Sequence, residues 1–357
     1  MRSHPYLLAA ACALLCSVAP LRAQRIFVGA DFATRFDNRE YAGTAFADAS
    51  ETLFSARLTP TAGVRWDERN TLAIGVDLRQ DFGDDAKFLT EAKPLIYYAY
   101  ETPRVFAAAG IFPRERLCGA YGELFFDDAY LFYNNRIQGL AGRYRAKGGG
   151  FVELAIDWEG MQSKRVREKF RLLSAGEWSG KRFYGGYALS LLHFAKTSDP
   201  APGEGVVDYL LINPYGGLRF SALFDFDIRL GYVQSFQRDR IAENGWKAPK
   251  GGMLDVRIGY KGLSLGNTLY AGECQMPFFD RYGTALYAGS VFFATRNRIY
   301  NRTDISYGRR FFGDTVGVRA GFLFHCAGKG LGTQQRIEVD VRLQKIFDRR
   351  HRKAENR

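Results

Sequence analysis

The histidines are the first residues to consider for chemistry, because a hydrolase needs a nucleophile, a histidine base and a group that orients the base. Of the four histidines, His4 and His351 lie near the ends of the chain, and His193 and His325 lie between the ends. Ser190 precedes His193 by three positions, and Cys326 follows His325 directly. No signature of catalysis surrounds either histidine, so we predict that the chain is not an enzyme. A lipid hydrolase that uses His193 or His325 is a distant alternative.

Motifs for metals and cofactors are missing from the sequence as well. There is no HExxH motif and no calcium-loop spacing, and the glycine clusters at 148–150 and 328–330 are too short to be phosphate loops. Beyond the first 23 residues the cysteines are Cys118, Cys274 and Cys326, which form no CxxC pair. We therefore predict no metal and no cofactor.

A charged and aromatic segment at 113–135 is the strongest candidate for a binding function. Pro113 ends a predicted strand, because proline cannot donate to the ladder of hydrogen bonds. An aromatic loop of this length can fold inside a closed sheet and narrow it, with acids and bases facing across the opening. We predict such a constriction, and an extracellular cap or a stabilising lid is the alternative. The charged candidates are Arg114, Arg116, Glu123, Asp127 and Asp128.

A second set of charged residues alternates with apolar residues along the predicted strands. If these polar faces enclose water, the excess of arginine predicts a pore with a mild preference for anions. The alternative is that the charges form salt bridges that stiffen the wall. The candidates are Arg57, Arg65, Asp77, Arg79, Glu153, Asp157, Arg229, Asp255, Arg257 and Arg319, with Asp340 and Arg342 on the last strand.

The elements that would position these residues are one-sided strands with a period of two. In 71–82, for example, Leu72, Ile74 and Val76 share one face and Asp77 lies on the other. The same alternation recurs in 151–158, 226–236, 253–261, 315–324 and 336–347. Many segments run for about 9–11 residues, the length that crosses a bilayer when tilted, whereas strands of soluble proteins are nearer 5–6. The pattern therefore favours strands that face lipid on one side and a polar lumen on the other.

The predicted fold is all-β: a single transmembrane antiparallel up-and-down β-barrel of about 16 strands, with 14 to 18 allowed. The sheet must close, because an unpaired edge in lipid leaves backbone groups unsatisfied. Short turns are predicted at 67–70, 102–103, 147–149, 179–181, 261–262 and 312–314, and longer connections at 36–49, 113–135, 197–205, 238–250, 272–282 and 327–332. Only 166–173 approaches a helical period.

The two ends of the chain differ from the barrel in composition. A basic start, an apolar stretch at 6–19 and the small Ala23 predict a signal peptide over residues 1–23. The barrel is predicted over 24–347. Its last strand ends in the aromatic residue Phe347, and a last strand of this kind is a typical signal for assembly into the outer membrane. A basic tail, 348–357, follows.

The stretch 110–117, which contains Phe112-Pro113-Arg114, is followed by Phe125-Phe126-Asp127-Asp128 and by a glycine-bearing segment around Gly139. In this arrangement the chain resembles porin-like outer-membrane proteins of the Bacteroidota, a largely uncharacterised group. The resemblance implies an outer-membrane location and a barrel, and it implies no substrate and no catalytic residue.

The sequence thus predicts an integral outer-membrane, porin-like channel for passive or weakly selective diffusion of small polar solutes. The alternative is a non-conducting barrel that acts through its loops as a surface adhesin or an assembly subunit. Expected partners are outer-membrane lipid and small polar solutes, and a homo-oligomer is permitted but not required. Nucleic acid is not expected, because the net charge of +12 is spread along the chain and not gathered on one face.

Overall fold

The computed structural model describes residues 24–83 and 85–348. The predicted signal peptide, 1–23, lies outside these residues, as does the predicted tail beyond 348. Among the described residues, seventeen β-strands form one antiparallel sheet. The strands are β1 Arg25–Glu40, β2 Glu51–Trp66, β3 Asn70–Asp81, β4 Glu91–Glu101, β5 Val105–Pro113, β6 Arg136–Arg145, β7 Gly150–Gly160, β8 Lys169–Ser179, β9 Phe183–Phe194, β10 Val207–Ser221, β11 Asp225–Asp239, β12 Glu243–Lys247, β13 Lys250–Tyr260, β14 Leu263–Gly272, β15 Ile299–Phe311, β16 Val316–Cys326 and β17 Gly332–Asp348.

The sheet closes on itself through its first and last strands. Strand β1 pairs with β2 on one side and with β17 on the other, from Arg25 opposite Asp348 to Glu40 opposite Thr333. Strand β12 is a short addition at the end of β11, and β11 continues the wall by pairing with β13. The wall is therefore a closed barrel of sixteen strands, as the sequence predicts.

Alternation along each strand separates an apolar outer face from the inner face. On β4, Leu95, Tyr97 and Ala99 are buried, whereas Ile96 and Tyr98 are exposed. Large exposed apolar side chains recur in this way around the wall, on the face that in a membrane meets lipid. No helix among the described residues is long and apolar enough to cross a membrane.

Seven short turns lie at one end of the barrel and eight longer connections at the other. The turn between β13 and β14 has only two residues, Lys261 and Gly262, both with positive φ (45° and 92°). This is the twist that a two-residue hairpin requires. In outer-membrane barrels the short turns face the periplasm and the long loops face the exterior. We call these the short-turn end and the long-loop end.

The structure corrects several predicted boundaries at the long-loop end. Strand β1 continues to Glu40, so the first loop begins at Tyr41 and not near residue 36. The connection predicted at 272–282 extends over 273–298, and loops at 82–90 and 161–168 were not predicted. The segment 166–173 is not helical: β8 begins at Lys169, and Arg171 and Leu173 both face inward and are buried. Two adjacent leucines, Leu172 and Leu173, obscure the alternation there.

Short helices occur only within the connections of the described chain. They are single 3-10 turns at Ala47–Ala49, Arg114–Arg116 and Val291–Ala294, and two α-helices, α1 Asp128–Tyr133 and α2 Phe279–Leu286. Both α-helices lie in connections that fold back into the barrel, where their aromatic side chains join the inward-facing residues of the wall in one buried cluster. The hydrophobic core therefore sits inside the barrel, at the level of these two connections.

Candidate functional site

Two inward connections, loop A (114–135) and loop B (273–298), pack against each other inside the barrel. The backbone N–H of Asp127 donates to the carbonyl of Ala288 at 2.8 Å, and the N–H of Ser290 donates to the carbonyl of Glu123 at 2.8 Å. The approach is so close that a Cβ on Gly289 would lie 2.1 Å from the carbonyl oxygen of Leu124. Both loops carry buried aromatic and aliphatic side chains, among them Leu124, Phe125, Phe126, Phe278, Leu286, Tyr287, Phe292 and Phe293.

Asp127 organises the inner part of loop A. Its carboxylate caps α1 by accepting the N–H of Tyr130 at 2.5 Å. Burial raises the pKa of Asp127, although Arg39 lies 3.9 Å away and opposes the shift. Burial also raises the pKa of Tyr130. The side chain of Asp127 therefore stabilises the fold of loop A.

The charged candidates of loop A form ion pairs with the barrel wall. Arg114 donates to Asp157 at 2.5 Å. Arg116 pairs with Glu101 at 2.9 Å, and Glu123 pairs with Arg302 at 3.2 Å. Asp128 pairs with Arg302 at 3.6 Å and also contacts Arg336. These contacts hold loop A against the wall, and a role in filtering solutes remains a prediction.

The lumenal candidates lie on the inner face of the wall, most of them in pairs. The pairs are Arg57 with Asp77, Arg79 with Asp81 at 3.2 Å, Asp157 with Arg114, Arg229 with Asp255 at 2.8 Å, Glu153 with Arg143 at 3.4 Å, and Arg310 with Asp340 at 2.9 Å. Arg65 lies over the ring of Phe27, Arg319 donates to Ser306 at 3.1 Å, and Arg257 lines a cavity of about 750 Å³. Arg342, on the last strand, pairs with Glu115 at 3.0 Å.

Several inner charges were missed by the sequence analysis. Arg171 is fully buried, where it donates to Glu159 at 2.7 Å and to the hydroxyl of Ser190 at 3.0 Å. Arg302 and Arg336 hold loop A, and Arg136 pairs with Asp77 at 2.8 Å. The sequence signal for Arg171 was masked by the helix-like spacing around it. The other three stand on alternating strands and could have been included.

The packed loops separate cavities on their two sides. One has a volume of about 750 Å³ and is lined by charged residues of β10–β17, including Arg229, Arg257 and Arg319. Another of about 490 Å³ opens at the long-loop end beside Tyr133 and Tyr287. The lumen therefore holds water-accessible space on both sides of an apolar layer.

A different group of residues lies on the outer wall, next to the long-loop end. His193 alternates with the buried Leu192 and Phe194, so its side chain faces outward. Its register partners on the flanking strands are Phe170 of β8 and Asp208 of β10. The Nδ1 atom of His193 lies 3.7 Å from Oδ1 of Asp208, and both side chains are partly exposed.

The surroundings of His193 combine aromatic rings with a cation. Its ring packs on Phe170, with ring centroids 5.1 Å apart, and Phe170 stacks on Trp158. Arg240 donates to both carboxylate oxygens of Asp208 at 2.8 and 2.9 Å, and this contact raises the pKa of Arg240. We call Trp158, Phe170, His193, Asp208 and Arg240 the rim patch.

The structure separates the residues that the sequence had suggested for hydrolysis. Ser190 faces the lumen, because three positions along a strand change the face, so it does not meet His193. His325 is buried inside the barrel, where Nδ1 meets the Tyr300 hydroxyl at 2.8 Å and Nε2 meets Gln334 at 3.1 Å. Its ring stacks on Phe292 of loop B. His193 is therefore the histidine of the described chain that faces the membrane side.

Comparison with known families bears on the rim patch. The model of a Lipid A 3'-O-deacylase-type family matches residues 18–195, just under half of the chain. The matched region contains β1–β9 and includes His193. Because this is a family of enzymes, the match contradicts the prediction that the chain is not an enzyme. No curated protein shows detectable similarity in sequence.

Solved structures with a similar fold are outer-membrane proteins. A loop-deletion mutant of OmpT, an outer membrane protein of Vibrio cholerae, has a TM-score of 0.54 at 11% identity, covering 90% of this chain and 100% of its own. Pseudomonas aeruginosa OccK9 (OpdG) has a TM-score of 0.53 at 9% identity, covering 90% of this chain and 98% of its own. The resemblance to outer-membrane barrels expected from the sequence is thereby confirmed. The chain is an integral outer-membrane β-barrel of sixteen strands.

Proposed function

We propose that the chain is an outer-membrane hydrolase that removes an ester-linked acyl chain from lipid A, with His193 as its general base. The observation that carries the proposal is the position of His193: it lies within the family match, faces outward, and stands beside a carboxylate near the long-loop end. This end of an outer-membrane barrel lies in the outer leaflet, where lipid A resides. The rim patch is therefore placed where such a lipid would meet the wall.

The two sides of the rim patch suit an amphipathic substrate. Trp158 and Phe170 form a stacked aromatic surface on the apolar wall, against which acyl chains can lie. His193 and Asp208 lie at the polar edge, beyond which the chain carries the exposed Arg240. An ester between sugar and acyl chain sits at the same boundary between polar and apolar regions. The rim patch thus has an apolar side for the acyl chains and a polar side for the sugar, with His193 at the boundary where the ester would lie.

The reaction needs a base that activates water. His193 accepts a proton from water as the water oxygen attacks the acyl carbonyl carbon. The bond between that carbon and the sugar oxygen then breaks, and the imidazolium returns the proton to the leaving sugar oxygen. The products are a free fatty acid and the sugar hydroxyl. Asp208 stabilises the imidazolium, and Arg240 holds Asp208 in place through two hydrogen bonds.

The proposal predicts a change in the lipid A of cells that produce the protein. Lipid A extracted from a Gram-negative host with the chain in its outer membrane should lose the mass of one ester-linked acyl chain in the mass spectrum. The same host without the chain gives the reference spectrum. An unchanged spectrum, with the protein shown by fractionation to be folded in the outer membrane, would contradict the proposal.

A second candidate function is the passage of small polar solutes through the lumen, in keeping with the porin-like resemblance. The specific observation in its favour is the 750 Å³ cavity with its charged lining, which a packed interior would not contain. Loops A and B oppose this function, because they lie across the lumen beside the cavity. Solute flux would require that these loops move.

A further inference from the structure

Helix α2 of loop B lies against the inner side of the wall, directly behind the rim patch. Successive residues of a strand face opposite sides of the sheet, so Lys169 faces the lumen next to the outward Phe170. The Nζ atom of Lys169 donates to the carbonyl oxygen of Ala285 in α2 at 2.9 Å. Loop B is therefore attached to β8 one residue away from the rim patch.

The same relation holds on β9. Phe194, the chain neighbour of His193, is buried and faces the lumen. Its ring meets the ring of Tyr282 in α2 edge-on, with the ring centroids 5.9 Å apart. The guanidinium of Arg167 lies 3.6 Å from the centroid of the Phe194 ring and donates to the carbonyl oxygen of Ala195 at 2.6 Å. The end of β9 that carries His193 is thus packed on α2.

A third contact with α2 is made by Asp239, at the end of β11. One oxygen of its buried carboxylate accepts the hydroxyl of Tyr282 at 2.6 Å and lies 3.4 Å from Nη1 of Arg281. The other oxygen accepts the N–H groups of Ile241 at 3.0 Å and of Ala242 at 3.1 Å. An aspartate that accepts N–H groups two and three residues ahead stabilises a turn. Asp239 therefore fixes the turn that follows it and is itself held by α2.

This turn presents Arg240, the residue that holds the carboxylate of the rim patch. The guanidinium of Arg240 donates to both carboxylate oxygens of Asp208, and Asp208 lies beside His193. A series of contacts thus leads from Tyr282 and Asp239, inside the barrel, to the carboxylate beside His193 on the outer wall. Loop B and the rim patch are connected at this point of the wall.

We propose that α2 is the internal brace of the rim patch, so that hydrolysis requires loop B in its inward position. The inference rests on the proposed deacylase function and adds a means of regulating it. Displacement of loop B from the lumen would release Asp239, and the turn that presents Arg240 would lose its support. Asp239 and Tyr282 are positioning residues, because they touch neither the lipid nor His193.

Rates of fatty acid release from lipid A in mixed micelles test the brace. Tyr282→Phe keeps the aromatic ring but removes the hydroxyl donor, and Asp239→Ala removes the carboxylate that fixes the turn. Each should lower kcat at least about fivefold, the factor that corresponds to one hydrogen bond. The apparent KM should not change, because the aromatic surface of the rim patch is untouched. Asp239→Asn keeps an acceptor for the turn and should restore most of the rate.

The matched control is another ion pair of loop B. Arg296 pairs with Asp280 at 3.0 Å, and both side chains are more than 80% exposed. Arg296→Gln should therefore leave kcat at the wild-type value. The heat-dependent gel shift of the folded barrel shows that each variant has folded.

A double-mutant cycle separates positioning from a general loss of stability. In an Arg240→Ala background, Asp239→Ala should cause no further loss of rate, because no guanidinium remains to be positioned. Additive losses, or wild-type rates in both Tyr282→Phe and Asp239→Ala, would overturn the brace and leave the deacylase function in place. Failure of the wild-type protein to release fatty acid would overturn both.

Discussion

Replacing His193 by glutamine should lower the rate of lipid A deacylation by about a hundredfold or more, the usual contribution of a positioned general base. Glutamine is close to histidine in size and polarity but cannot accept and return a proton. The side chain is partly exposed on the outer wall, so the fold should tolerate the change. The measurement is the rate of fatty acid release from lipid A in mixed micelles with the purified protein.

Two further variants make this result specific. Asp208→Asn should give a smaller loss of rate, because it removes the charge that stabilises the imidazolium but leaves the base in place. Tyr232→Phe changes another exposed residue of the outer wall, on β11, and should leave the rate unchanged. If His193→Gln releases fatty acid as fast as the wild type, the assignment of the base is wrong.

Excising the body of loop A should convert a barrel that conducts little into one with large stepwise conductance in planar bilayers. The buried apolar side chains of loops A and B lie across the lumen, and such a layer obstructs the passage of ions. The excision is geometrically simple, because the N–H of Arg114 donates to the carbonyl of Asn135 at 2.6 Å, so that the ends of the loop are already adjacent. Residues 115–134 can be replaced by a short glycine-serine turn.

The matched control is the removal of residues from a loop outside the lumen. The connection 82–90 qualifies, since Phe88 at its tip is 96% exposed. Its shortening should leave the conductance at the wild-type value. A wild-type protein with high conductance would show that loops A and B do not obstruct the lumen, and a loop A variant with unchanged conductance would show that loop A is not the obstruction. The first outcome would favour the solute-passage function.

Much of the fold could be predicted because apolar and polar residues alternate along a barrel strand, and this alternation is visible in the sequence. In 253–261, Leu254, Val256 and Ile258 alternate with Asp255 and Arg257, and the structure places all of this segment except Lys261 in β13. Six of the seven short turns could also be predicted, because each holds glycine, proline, asparagine or aspartate, whereas the turn at 222–224 was not predicted. Closure then follows from the cost of an open edge in lipid.

The interior was harder to predict, because long connections carry no period. Loop B contains a dense run of apolar and aromatic residues between 276 and 293, which is unusual for an exposed loop and could have indicated that it folds inward. The partners of that run lie on loop A, far away in sequence. No local pattern specifies such a contact.

For the rim patch, the alternation along one strand predicts which face of the wall a side chain lies on, but it does not predict which residue of the neighbouring strand lies beside it. Parity along β9 could have placed Ser190 and His193 on opposite faces, and so excluded a serine–histidine pair. The pairing of His193 with Asp208 depends instead on the register between β9 and β10. The two strands are joined by a loop of twelve residues, 195–206. The register between the strands cannot be predicted from the length of such a loop.

The most direct test of the central claim is to run the deacylation in water enriched in ¹⁸O. The purified protein should release free fatty acid from lipid A, and each fatty acid should carry one ¹⁸O atom in its carboxyl group, because water supplies the attacking oxygen. Release that depends on His193 and includes this label is the predicted result. If no fatty acid is released, or if it is released without the label, the chain does not hydrolyse this ester and the account is wrong.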